Sequence, residues 1–225
     1  MDYYYKMSPG YEVDKKIADK VCEELKKKYD TDFLVRRIGD RLNRKTARLY
    51  VSPADNSNLV FTAHIEQDSN IVTDDYTAVI AEKKLENEII AGISKAESNV
   101  FARIFIPNQA DYELKKREYT AAELINECGR NGFLMQLLAE SSFDMDAFFT
   151  AAKEVCAVNA VSLAGSVYIL SGEKFSECLK SSGDLPHPSF TEIEKIGPAK
   201  RMDFTADKDS AKLVSEESFS NREGV

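Results

Sequence analysis

The chain holds only two histidines, which narrows the acid–base and metal chemistry open to it. His64 stands in a β-rich run, close in sequence to Glu66, Asp74 and Asp75. Alternation along a strand puts His64 and Glu66 on one face, and two carboxylates at the head of the following helix would complete a nitrogen and oxygen ligand set for a divalent metal. On that pattern rests one expectation, a small metal-dependent hydrolase with its site near His64, Asp74 and Asp75. A simpler role competes with it. The set has one imidazole and no His-x-His spacing, and carboxylates before a helix already serve to cap free amides and meet the positive end of its dipole. His187, between Pro186 and Pro188, is expected to be a solvent-facing loop residue.

Nucleophilic and phosphate chemistry find less support. Cys22, Cys128, Cys156 and Cys178 show no close pairs, and three of them fall on the apolar side of candidate helices, where burial raises a thiol pKa. They read as reduced, small core residues. No Gly-x-Ser-x-Gly turn, Gly-x-Gly-x-x-Gly or Gly-x-x-x-x-Gly-Lys-Ser/Thr run occurs, so no nucleotide cradle is advertised and no cofactor is expected. Gly129-Arg130-Asn131-Gly132 reads as a turn between helices. Ile193 to Lys200 has part of the outline of the hairpin in helix-hairpin-helix DNA binders, but Lys195 stands where the first glycine belongs and the surroundings are acidic.

Composition sets the frame for these residues. With 225 residues, 43% hydrophobic and 30% charged, the chain can bury an ordinary core as one large domain or two small ones. A formal net charge of −8 and a pI near 5.0 argue against phosphate-backbone binding, so no nucleic-acid partner is expected. No apolar run reaches the length of a membrane helix, and Met1 to Lys6 has neither a basic nor an apolar leader region. The chain as given reads as cytoplasmic, unless a leader was removed ahead of this Met.

The elements that must position these residues follow from periodicity. Tyr3, Tyr4, Tyr5 and Tyr11 surround Ser8-Pro9-Gly10 in an N-terminal arm, which either folds on its own domain or offers an aromatic patch to a partner. Val13, Ile17, Val21, Leu25 and Tyr29 recur every four residues and predict an amphipathic helix whose other face pairs acids before bases. Phe33–Ile38, Ala47–Val51 and Leu59–Ile65 predict three strands of an antiparallel meander, the last two joined through Pro53 to Asn58. Arg48, Tyr50, Thr62, His64 and Glu66 alternate with apolar residues, so one sheet face is expected to be wet and the other covered by helices. A second helix is predicted from about Asp75 to Ile93.

Beyond a polar junction at 94–99, Val100–Ile106 reads as a strand buried on both faces and opens a new core. Thr120-Ala121-Ala122-Glu123 has capping-box spacing, and Asp144 or Ser142 is placed to cap a helix from Met145. Strand over Val161–Leu170, short helix over Glu173–Leu179 and strand over Lys200–Thr205 complete the order. The fold class is α+β: helix, three-strand meander and helix over residues 1–96, a smaller mixed α/β subdomain over 97–205, and a polar, partly disordered tail over 206–225.

The order of helix with Glu-Glu-Leu-x-x-x-Tyr, Phe33, hairpin with Pro53 and Asn58-Leu59-Val60-Phe61, and Asp74-Asp75-Tyr76 opening a helix resembles an uncharacterised group of small α+β proteins from Gram-positive bacteria and their mobile elements. The resemblance covers roughly residues 13–93. It implies a helix-wrapped antiparallel sheet with the outline of cystatin-like domains, and transfers no catalytic residue. With strong structural patterns, no converging polar residues and one sheet face left partly uncovered, the favoured expectation is a non-enzymatic interaction or accessory protein. It holds a protein partner through Arg48, Tyr50, Thr62 and His64, or through Tyr3, Tyr4 and Tyr5.

Overall fold

The structure is a computed structural model that describes residues 11–39, 46–66, 69, 71–93, 99–107, 114–181 and 190–219. It is α+β, as predicted. Contacts divide the chain into two units, Met1–Val79 with Asn108–Arg117, and Ile80–Pro107 with Glu118–Val225. The division falls inside a helix, not at the polar stretch 94–99. Residues 94–98, like the arm with Tyr3, Tyr4 and Tyr5 and the loop with His187, lie outside the described residues.

In the first unit, helix α1 (Tyr11–Tyr29) packs on an antiparallel sheet of β1 (Phe33–Ile38), β2 (Thr46–Pro53), β3 (Phe61–Glu66) and β4 (Val72–Asp74), in that spatial order. The four-residue spacing brings Val21 and Leu25 onto Ala47, Leu49, Val51, Phe61, Ala63 and Ile65, all buried. Tyr29, Phe33, Phe61 and Tyr76 close this core as a ring cluster, with centroids 4.8 to 6.1 Å apart and mostly edge-to-face. The helix ends at Asp30, whose φ of 55° turns the chain out of the helix while its amide still reaches Lys26 O. The meander has four strands where three are predicted. Ile71-Val72 is too short to show alternation, yet Val72, Thr73 and Asp74 pair with Ile65, His64 and Ala63.

The second unit is built on a mixed sheet of β5 (Val100–Phe105), β6 (Phe133–Glu140), β7 (Leu163–Leu170), β8 (Lys200–Ala206) and β9 (Ala211–Ser218), in that order, with only β6 and β7 parallel. Helix α2 (Tyr76–Ile93) crosses the boundary between the units; α3 (Ala121–Glu127), α4 (Met145–Asn159), α5 (Gly172–Ser181) and α6 (Phe190–Ile196) belong to the second. Thr120 and Glu123 form the predicted capping box, and the Asp144 side chain accepts from the amides of Asp146 and Ala147. Phe148 of α4 meets Phe204 of β8 at 4.8 Å on one face. Phe175, Cys178 and Ile193 of α5 and α6 cover Leu138, Tyr168 and Leu170 on the other.

Three expectations are corrected here. The strand at Val100 is an edge strand with alternating burial, not a strand covered on both faces; the strand next to it, β6, is the one buried at every position from Met135 to Ala139, beside its parallel partner β7. Within the stretch expected to be a polar tail, Ala211–Ser218 forms β9 in a hairpin with β8. Asp207 accepts from the amides of Asp209 and Ser210 to turn the chain, and β9 then pairs along β8. Ile193 to Lys200 leaves α6 through Gly197, at φ 73°, directly into β8, so the fragment resembling a DNA-binding hairpin has a strand where its second helix belongs.

Candidate functional site

Strand register decides which of the predicted site residues meet. On β3, Phe61, Ala63 and Ile65 are buried while Thr62, His64 and Glu66 face away from the core. Arg48 lies opposite His64 and Tyr50 opposite Thr62, so these four share the outer face. Arg48 Nε donates to His64 Nε2 at 3.0 Å, which occupies that ring nitrogen as an acceptor. Glu66, at the exposed end of β3, accepts from the Ser69 hydroxyl.

Asp74 pairs with Ala63 and so belongs to the opposite, helix-covered face. It is buried and fully engaged: Lys28 Nζ donates at 2.8 Å, the Tyr29 hydroxyl at 2.7 Å and the Tyr76 amide at 3.2 Å. Burial, then the charge of Asp74, holds the Tyr29 phenol well above its ordinary range. Asp75 is also buried, and its carboxylate accepts from the Thr62 amide at 2.6 Å. The helix-cap role expected for both acids holds for Asp74, through Tyr76, while Asp75 ties the head of α2 back to β3. His64, Glu66, Asp74 and Asp75 therefore do not converge as the metal reading requires. Among the described residues no group of three or more His, Cys, Asp or Glu side chains is placed to hold a metal.

The cysteines are free thiols. Burial pushes Cys128 and Cys156 each up to about 11 and raises Cys22, the direction expected from core positions and the opposite of an activated nucleophile. Gly129-Arg130-Asn131-Gly132 is a turn following α3, with Gly129 at φ 58° and the Arg130 amide bonded to Ile125 O.

Two arrangements escape the motif search. The first lies on the outer face of the first sheet. The β1–β2 register slips between Val35 and Arg37, making Arg36 the extra residue of a bulge. Arg37 pairs with Tyr50, and Arg36 Nε donates to Ser52 Oγ at 2.9 Å, so two consecutive arginines reach the face that carries Arg48. The signal was present in the chain as six basic residues and one acid between Arg36 and Arg48, hidden under a negative total.

The second arrangement is a polar row across the second sheet, one residue per strand: Arg103, Gln136, Ser166, Asp203 and Ser215. Asp203 accepts from Ser166 Oγ at 2.6 Å, Ser215 Oγ at 2.8 Å and Arg201 Nε at 2.9 Å. Burial raises its carboxyl, but these donors outweigh it and hold the group below its usual range. Such a carboxylate is a poor base for Ser166, so the network is structural in character. Gln136 is 1% exposed, and among the described residues neither its side-chain oxygen nor its nitrogen has a partner.

No protein-family profile matches the chain, and no curated protein matches it. Among solved structures it is similar to a DUF5037 family protein from Ruminococcus gnavus, with a TM-score of 0.64 at 15% identity, over 87% of this chain and 94% of that one. That likeness supports the α+β fold and extends through both units. No helix among the described residues is long and apolar enough to cross a membrane.

Proposed function

We propose that this chain is a non-enzymatic interaction or accessory protein that holds a protein partner on the outer face of its first sheet. One observation carries the reading. Arg48, Tyr50, Thr62 and His64 stand together on the face opposite the α1-covered core, and none of them is buried. A face combining an arginine, a tyrosine and an imidazole has the composition favoured at protein interfaces. The metal-dependent hydrolase reading lacks comparable support, since it asks His64 and Asp74 to act from opposite faces of one sheet.

A cytoplasmic setting belongs to the same proposal, supported by free cysteines that suit a reducing compartment. So does membership of a bacterial group of small accessory proteins, including those of Gram-positive mobile elements, supported in its bacterial part by the fold neighbour from Ruminococcus gnavus. A single helix laid on an antiparallel meander is what supports the outline of cystatin-like domains. Tyr3, Tyr4 and Tyr5 remain a second candidate surface from sequence.

The test is affinity capture from the host lysate, with the wild-type chain beside an Arg48→Ala/Tyr50→Ala variant that circular dichroism shows to be folded. A stoichiometric protein retained by the first and lost from the second is the expected result. Identical capture by both, or none above background, refutes the reading.

A further inference from the structure

Arg36, Arg37 and Arg48 make a cationic face on a chain whose formal net charge is −8. All three are exposed, and the ion pairs of the first unit among the described residues join other groups: the lysines of α1 to acids of α1, to Asp32 and to Asp74. A bulge normally re-aims a side chain or ends pairing. Here it turns what alternation would split between two faces, Arg36 and Arg37, into a pair on one face beside Tyr50. Arg48 donates to His64 Nε2 and Arg36 to Ser52 Oγ, both uncharged acceptors, while the Glu66 carboxylate at the end of the same face accepts from Ser69.

Resting on the proposed interaction function, we infer that the segment held by this face is a short acidic stretch of a protein partner, in extended conformation, whose carboxylates meet Arg36, Arg37 and Arg48. Guanidinium groups bind carboxylates in a planar, bidentate fork, which fixes orientation as well as charge. Arg37 lies opposite Tyr50, and Arg48 is the next outward position along β2, so these two arginines are offset along the strands by about 6.5–7 Å, the repeat of alternate side chains of an extended segment, and glutamates or aspartates at every second position suit the patch. A nucleic acid suits it less. Three arginines offer few phosphate contacts on a chain of formal net charge −8, and Tyr50 is the one aromatic of this group on which a base can stack.

The experiment is fluorescence anisotropy with the full chain and four labelled probes: an oligoglutamate peptide, its glutamine counterpart, a phosphoserine peptide and single-stranded oligothymidylate. Oligoglutamate is expected to bind, at least about tenfold tighter than oligoglutamine, and to be released as salt is raised to about 0.5 M. The folded triple variant Arg36→Gln/Arg37→Gln/Arg48→Gln is expected to lose this binding, and Lys20→Gln on α1 to keep it. No binding of oligoglutamate, binding undiminished in the triple variant, or clear preference for the phosphopeptide or the oligonucleotide overturns the inference. If lysate capture through Arg48 and Tyr50 succeeds while oligoglutamate fails, the acidic segment is wrong and the interaction surface stands. If both fail, the surface itself is wrong.

Discussion

The five-stranded sheet has two edges, β5 and β9, and they are kept from other chains by opposite means. On the β5 side, the amides of Ile104 and Ile106 are taken by the carboxylates of Glu86, at 2.8 Å, and Glu82, at 2.9 Å. Both glutamates are 4% exposed. Spaced i,i+4 on α2, they follow one helix face and meet amides two residues apart along the strand. The β9 edge has no such cover and is exposed over nearly its whole length. Its protection is a bulge at Val214 and three charged side chains, Lys212, Glu216 and Glu217. One edge is satisfied by buried charge, so it is costly to disturb. The other is merely unattractive to a partner, so it is cheap to change.

The centre of the sheet sets the scale for that contrast. A Cβ on Gly165 would stand 1.8 Å from the carbonyl oxygen of Met135 on the neighbouring strand, so Gly165→Ala must part β6 from β7. A loss of about 3 kcal/mol or more is expected by urea denaturation, and a near-neutral result would refute the close approach. At the β5 edge, Glu86→Ala leaves the Ile104 amide buried and unpaired, for a cost of roughly 1–3 kcal/mol, while Glu86→Gln keeps an acceptor there and is expected to cost well under half as much. Equal losses in the two variants would mean that charge, not the hydrogen bond, closes this edge.

Titration sharpens the same point. Burial holds the Glu86 carboxyl above its ordinary 4.5, an effect that Lys83 and the Ile104 amide offset only in part. A carboxyl that binds its proton more tightly when folded gives up stability as pH rises from the unfolded value through the raised one, and contributes no further change above it. Wild-type stability measured against that of Glu86→Gln is therefore expected to decline from pH 4.5 upward and then level off; parallel curves would remove Glu86 from the account. The smallest effect belongs to β9. Lys212→Val/Glu217→Val is expected to leave stability within about 0.5 kcal/mol and to raise light scattering on concentration, as an edge without its charges begins to pair. A loss above about 1 kcal/mol would show those charges to be structural.

The same contrast explains what could be read in the chain. The four-residue spacing of Ile17, Val21, Leu25 and Tyr29, and the alternation of Ala47, Leu49 and Val51 with Arg48 and Tyr50, were legible because each element has one wet and one buried face. At β6 every position from Met135 to Ala139 is buried, so Phe133 to Leu138 shows no period and could not be placed as a strand among its helical neighbours. At β9 neither face is well covered, and its residues look like tail. Of the candidate surface, Arg48, Tyr50, Thr62 and His64 follow from alternation alone. The addition of Arg36 and Arg37 depends on a bulge that no spacing rule announces, and the separation of Asp74 from His64 depends on pairing with a strand only three residues long.

Because the boundary between the units falls after Val79, α2 carries a shared obligation: Tyr76 completes the ring cluster of the first unit, and Glu82 and Glu86 serve the edge strand of the second. A recombination event that joined the first ninety-odd residues to a foreign partner would carry two buried glutamates away from the amides that justify them. A division of the chain that keeps both sets of contacts intact falls within α2, between Tyr76 and Glu82.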